Sequence, residues 1–101
     1  MTNNKNNKRE LTLFLKDRRL DAESAPILYD EIMRNIQGVK KLTVDMTAVV
    51  YISSAGLRAL LAALHAMGGG GSVTLLNVCD NVMHTLQITG FSEIFTIKLK
   101  N

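Results

Sequence analysis

The sequence predicts a single α/β domain, in which helices pack on a mixed sheet of four to five strands. Short apolar segments typical of strands alternate with segments of helical periodicity, in the order β-α-β-α-β-α-β. Strands separated by single helices favour a largely parallel or mixed sheet that the helices cover. The 101 residues suffice for one domain, and no linker or internal repeat divides them.

Four segments have the composition and spacing of strands. In the first, residues 10–15, every second residue is leucine, which predicts one buried face. The other three are residues 41–44, 72–78 and 94–99. Residues 1–9 are polar and rich in asparagine, so we expect a flexible leader at 1–9 and the folded domain at 10–101.

The first and third helices are predicted from the residues at their ends. Ser24 is a candidate N-cap with Pro26 in the first turn, where its missing N–H costs nothing, and Gly38 is a good stop signal. Asp80 is a candidate N-cap for the third helix, which Gly90 ends.

The second helix is the most strongly predicted element, and two serines precede it. Four leucines lie at i, i+3, i+4 and i+7, namely Leu57, Leu60, Leu61 and Leu64, and Gly68 to Gly71 end the helix. Ser53 and Ser54 therefore lie at its N-terminus. A serine oxygen there can accept a hydrogen bond from the first turn, and the helix dipole would stabilise an anion.

Composition excludes several classes of protein. The net charge is +3, but five of the twelve basic residues lie in the two terminal segments, and no aromatic residues are interleaved with basic ones. The one internal cluster, at residues 16–19, is interrupted by Asp17. Solvated termini therefore explain this charge better than a nucleic-acid surface. The single cysteine, Cys79, cannot form an internal disulfide and fits a reducing compartment. Without a signal peptide or a long apolar run, we expect a cytoplasmic protein that does not insert into membranes.

No complete catalytic set is present. The nucleophile motif Gly-x-Ser-x-Gly is absent, and the glycine run follows a helix rather than preceding one, as a phosphate-binding loop would. His65, His84 and Cys79 have no usual metal-ligand spacing. We therefore expect no catalytic residue, no metal and no cofactor, and hence no enzyme.

The serine pair leaves two interpretations open. A plain N-cap, worth roughly 1 kcal/mol, is favoured on the residues alone. The alternative is a covalent switch, because phosphorylation would add a charge of about −1.5 to −2 at the start of the helix. The helix would tolerate this charge, but a partner packed over it would bury a dianion.

The sequence around this pair resembles a known family. Residues 44–57 closely resemble the signature of STAS domains, the fold of bacterial anti-sigma factor antagonists, and the resemblance extends over nearly all of residues 10–99. Phospho-regulated members carry an Asp-Ser-Ser/Thr-Gly-Leu motif, whose target serine matches Ser54. Asp21 matches an acidic residue close to that site on the partner-binding face. Four positions depart from the family pattern: Ser53 replaces the aspartate, Ala55 replaces a hydroxyl residue and Arg58 replaces a frequently small residue. In addition, Arg18 stands where a glycine is expected.

The resemblance implies an anti-sigma factor antagonist. Its partner would be an anti-sigma factor with serine kinase activity, which would phosphorylate Ser54 from ATP and so leave the complex, while a serine phosphatase would reverse the modification. The implied partner-binding residues are Asp21, Ser53, Ser54, Ala55, Gly56 and Leu57. The alternative within the family is a non-phosphorylated scaffold, or a regulatory subunit of a lipid transporter or signalling complex, in which Ser54 would be only a helix cap.

Overall fold

The computed structural model describes the backbone of residues 2–6 and the chain from residue 9 to residue 101. In chain order the elements are β1 (Thr2–Asn6), β2 (Glu10–Leu15), β3 (Arg19–Leu20), α1 (Ala25–Asn35), β4 (Lys41–Asp45), β5 (Tyr51–Ile52), α2 (Ser54–Met67), β6 (Ser72–Val78), α3 (Asp80–Thr89), a 3₁₀ turn (Phe91–Glu93) and β7 (Thr96–Leu99). The predicted mixed α/β fold is confirmed.

Five of these strands form the main sheet, in the order β1-β2-β4-β6-β7. Strands β2, β4, β6 and β7 run parallel, and β1 pairs with β2 in the antiparallel direction. The parallel register sets Leu13 opposite Val44, and Val44 opposite Leu75. The crossover helices follow from this arrangement, because parallel neighbours cannot be joined by a tight hairpin.

The leader forms a strand where we expected flexibility. Strand β1 pairs along β2, with Thr2 opposite Leu15 and Asn6 opposite Leu11. Its asparagines are poor strand formers, so the sequence predicts no strand there. Pairing at a sheet edge requires only backbone groups, which any such sequence supplies. Residues 1, 7 and 8 of the expected leader lie outside the described residues.

The core lies between this sheet and the helices. The alternate leucines of β2 are buried, as predicted, and each helix buries one face. The residues that the helices contribute are Leu28 and Ile32 from α1, Leu57, Leu60, Ala63 and Met67 from α2, and Val82 and Leu86 from α3. This aliphatic burial is the main favourable term in folding.

Strands β3 and β5 pair in parallel as a separate two-stranded sheet. The sequence predicts only a connection at residues 18–21, because two residues are too few to show a period. Two helix and strand boundaries also differ: Cys79 rather than Asp80 is the N-cap of α3, and the last strand begins at Thr96, since a 3₁₀ turn occupies residues 91–93.

A close approach at Gly56 fixes α2 against this small sheet. A Cβ atom at Gly56 would lie 2.8 Å from Leu20 Cγ, 2.9 Å from the Leu20 carbonyl oxygen and 2.9 Å from Ile52 Cγ1. No side chain fits at such distances without movement of the backbone. The first turn of α2 therefore packs directly on the residue that precedes Asp21.

Replacing Gly56 with alanine should destabilise the protein. In an ordinary helix, replacing glycine with alanine raises the free energy of unfolding by about 1 kcal/mol. Here we expect that free energy to fall by roughly 1 to 2 kcal/mol, because overpacking against Leu20 costs more than this gain. Urea denaturation measures the difference. The matched control is Gly69→Ala, where an added Cβ meets nothing within 4 Å. A Gly56→Ala protein as stable as the wild type would contradict the close approach.

Candidate functional site

Two segments form the candidate site: the turn after β3 and the first turn of α2. The backbone N–H of Ser53 donates to the carbonyl of Leu20 (2.9 Å), and that of Val50 donates to the carbonyl of Arg18 (2.7 Å). These bonds continue the β3–β5 pairing to the start of the helix. We call the combined surface of residues 19–24 and 53–58 the junction surface.

The two serines have different roles at the start of α2. Ser53 has an extended backbone (φ −99°, ψ 175°), and its hydroxyl oxygen accepts a hydrogen bond from the Gly56 N–H at 3.4 Å. Its carbonyl accepts from the N–H of Leu57 (3.0 Å). Ser53 is thus the N-cap. Ser54 is the first helical residue, is exposed, and forms no side-chain hydrogen bond with any residue between 9 and 101.

The Asp21 side chain organises the turn on the other side of the site. Its Oδ1 accepts hydrogen bonds from the N–H groups of Glu23 (3.1 Å) and Ser24 (3.3 Å), and its Oδ2 accepts from Arg19 Nε (3.4 Å). The Ser24 hydroxyl accepts from the Asp21 N–H (3.0 Å) and donates to the Arg19 carbonyl (2.8 Å). Ser24 occupies the predicted N-cap position, but its hydroxyl holds this turn instead of capping α1.

These contacts set the charge state of Asp21. The backbone hydrogen bonds from Ser24 and Glu23, and then the Arg19 guanidinium, hold the pKa of the Asp21 carboxyl below its usual value. Arg19 also lies over the ring of Tyr51, with its guanidinium carbon 4.1 Å from the ring centroid. The junction surface therefore carries a carboxylate held in place by the turn around it.

The loop that leads into β5 is anchored from the opposite side. Asn81 Nδ2 donates to the carbonyl of Val50 at 2.7 Å. Earlier in the loop, Thr47 bonds to the Asp45 carboxylate, and Asn77 Nδ2 donates to Thr47 Oγ1 at 3.0 Å. Contacts from β6 and α3 thus restrain the segment that presents the two serines.

The predicted site residues occupy different depths in the junction surface. Ser54 is exposed, while Asp21, Ser53 and Ala55 are half-buried. Gly56 is buried, and Leu57 is only 2% exposed, so both lie beneath the surface. Gly56 and Leu57 therefore support the site from beneath, and the partner contact expected of them stays a prediction.

An open groove adjoins the junction surface between α1 and α2. It has a volume of about 280 Å³, and its lining consists mostly of apolar groups, from Ala25, Pro26, Tyr29, Ala55, Arg58, Ala59 and Ala62. Arg58 is exposed and supplies the one guanidinium among these lining residues. Such a concave apolar surface is suited to contact with another molecule.

Sequence reasoning missed three residues that hold the site together: Arg19, Ser24 in its observed role, and Asn81. The contacts of Arg19 with Tyr51 and of Asn81 with Val50 join segments about thirty residues apart. A local pattern carries no signal for such contacts.

None of the helices within residues 9–101 is long and apolar enough to span a membrane.

Comparison with known families gives one match. The sequence profile of the STAS domain matches residues 4–101, which is nearly the whole chain. No protein with a curated description matches the sequence.

Solved structures with the same fold include anti-sigma factor antagonists. The antagonist from Mycobacterium paratuberculosis superposes with a TM-score of 0.83, at 19% identity over 97% of this chain and 84% of that one. Unphosphorylated SpoIIAA gives 0.81 at 16% identity, over 96% and 87% of the two chains. The phosphorylated form of the Bacillus cell fate determinant SpoIIAA gives 0.71 at 15% identity, over 96% and 90%. At these identities the similarity concerns the fold.

The lowered pKa of Asp21 predicts a pH-dependent contribution to stability. Because the folded state binds this proton less tightly than the unfolded state, ionised Asp21 stabilises the fold above its usual pKa of 3.8, and this contribution is lost as the pH falls through the lower folded-state value. The urea midpoints of the wild type and of Asp21→Asn should therefore differ at pH 7. The difference should begin to shrink below about pH 4 and vanish below the folded-state pKa of Asp21.

The matched control for this experiment is Asp30→Asn. Asp30 lies exposed on α1 and accepts no side-chain hydrogen bond from residues 9–101. This variant should have the same urea midpoint as the wild type across the pH range. A difference between Asp21→Asn and wild type that stays constant from pH 7 to pH 3 would contradict the assignment.

Proposed function

We propose that this chain, which belongs to the STAS domain family, is a cytoplasmic anti-sigma factor antagonist controlled by phosphorylation of Ser54. Unmodified, it would bind an anti-sigma factor that is also a serine kinase, and so release a sigma factor. The kinase would transfer a phosphoryl group from ATP to the Ser54 hydroxyl, and a serine phosphatase would remove it. The structural neighbours that carry the antagonist description support the class of partner.

The observation that carries this proposal is the difference between the two serines. Ser53 caps α2, so the fold already has its N-cap without Ser54. The Ser54 hydroxyl is exposed and unengaged within residues 9–101, and a kinase can reach it without opening the domain. A serine needed only as a cap would have its oxygen directed to the backbone N–H groups of the first turn.

Phosphorylation at this position would affect binding more than folding. The added charge of about −1.5 to −2 would lie at the positive end of α2, which tolerates it. A partner packed on the junction surface would have to bury this dianion beside the Asp21 carboxylate, which the surrounding turn keeps ionised. Burial of like charges at an interface is costly, and the complex would therefore dissociate.

A second function is favoured by one feature of the sequence. Ser53 stands where the phospho-regulated members carry aspartate, which changes the electrostatics next to the target. This favours the non-phosphorylated scaffold, or the regulatory subunit of a lipid transporter or signalling complex. A neighbouring gene for a histidine-kinase-like ATPase or a phosphatase would support the switch, and a transporter operon would support the scaffold.

The proposal is tested by measuring the intact mass of this chain after incubation with ATP and the ATPase that a neighbouring gene encodes. We expect the wild type to gain one phosphoryl group, Ser54→Ala to gain none, and Ser53→Ala to gain one at a cost of about 1 kcal/mol in stability from the lost cap. If Ser54→Ala still gained a phosphoryl group, the modified residue would be a different one. No gain by the wild type, together with stable binding of the ATPase, would favour the scaffold.

A further inference from the structure

We infer that Arg58 is the intramolecular counter-ion of a phosphoryl group on Ser54. Phosphorylation would then change the junction surface twice: it would add a dianion, and it would engage a guanidinium that the unmodified protein leaves free for a partner. This inference rests on the proposed function in one respect, namely that Ser54 is the modified residue.

The spacing on α2 places the two side chains together. Ser54 and Arg58 are both exposed and are four residues apart in one helix. Residues at i and i+4 lie on the same face, with about 5 to 6 Å between their Cβ atoms. Helical side chains lean toward the N-terminus, so Arg58 extends over the turn that begins at Ser54. The order of an acidic group four residues before a basic one is also the more favourable of the two.

Arg58 is available for this role. Within residues 9–101 its guanidinium forms no ion pair and no hydrogen bond. The guanidinium of Arg19, on the same surface, is already engaged with the Asp21 carboxylate and the Tyr51 ring. The Asp21 carboxylate, on the other segment of the junction surface, has the same sign of charge as a phosphate and cannot be its counter-ion.

The surroundings of Arg58 favour a specific pair over a loose one. Arg58 lies at the rim of the α1–α2 groove, beside the apolar surface of Ala55 and Ala59 and near Tyr29. A planar guanidinium can donate two parallel hydrogen bonds to phosphate oxygens, which an ammonium group cannot do.

A double-mutant cycle on four proteins tests the inference. Phosphoserine is incorporated at position 54 during translation, in the wild-type protein and in Arg58→Gln. Urea denaturation then gives the unfolding equilibrium constants of these two proteins and of their two unmodified forms. We expect phosphorylation to lower the unfolding equilibrium constant about threefold more in the wild-type protein than in Arg58→Gln. An effect of this size lies between that of an exposed helix pair and that of a charge-assisted hydrogen bond. The difference should shrink in 0.5 M NaCl.

Two further variants make the result specific. Arg34→Gln, which removes the same charge from the last turn of α1, should leave the effect of phosphorylation unchanged, and Arg58→Lys should keep part of the coupling. Equal effects of phosphorylation in the wild-type and Arg58→Gln backgrounds would overturn the inference, as would equal losses in Arg58→Gln and Arg34→Gln. Because no kinase is used, this outcome is independent of whether a kinase modifies Ser54.

Discussion

The contact between Gly56 and Leu20 determines where the first turn of α2 lies, and the candidate site depends on it. Leu20 is the last residue of β3, so the helix that packs on it starts beside the Asp21 turn. The Ser53–Leu20 hydrogen bond fixes the same two segments through the backbone. A side chain at position 56 would push the two parts of the junction surface apart. The glycine thus links the packing of the core to the geometry of the site.

Hydrogen bonds hold the segments around the site, while the exposed Ser54 hydroxyl takes no part in them. Ser53 caps the helix, Ser24 and Arg19 hold the Asp21 turn, and Asn81 anchors the loop before β5. The Ser54 hydroxyl forms no hydrogen bond with residues 9–101, so none of the contacts that hold these segments depends on it. Chemistry at Ser54 can therefore change what the surface binds while the fold remains the same, which is the property that a binding switch requires.

The sequence predicts the parts of the fold that have a clear period. The alternate leucines of β2 are buried as predicted, and glycines end α2 and α3 as expected. In the leucine stripe of α2, Leu57 and Leu60 are buried, whereas Leu61 and Leu64 are half-buried. Strand β1 was missed because its residues are poor strand formers, and β3 because two residues show no period. For the site, capping rules placed Ser53 and Ser54 at the start of α2 but did not show that Ser53 is the cap, and Asp21 required the family resemblance. The contact of Arg19 with Tyr51 depends on a strand pairing that the sequence does not indicate.

We propose that the junction surface binds a protein partner and that a phosphate on Ser54 ends this binding. The most direct test is calorimetric titration of the genomically linked ATPase with the unmodified chain and with the chain carrying phosphoserine at position 54. We expect measurable binding of the unmodified chain and at least about 100-fold weaker binding of the phosphorylated chain, the loss expected for burying an added dianion at an interface that also carries the Asp21 carboxylate. Equal affinities for the two forms would contradict it.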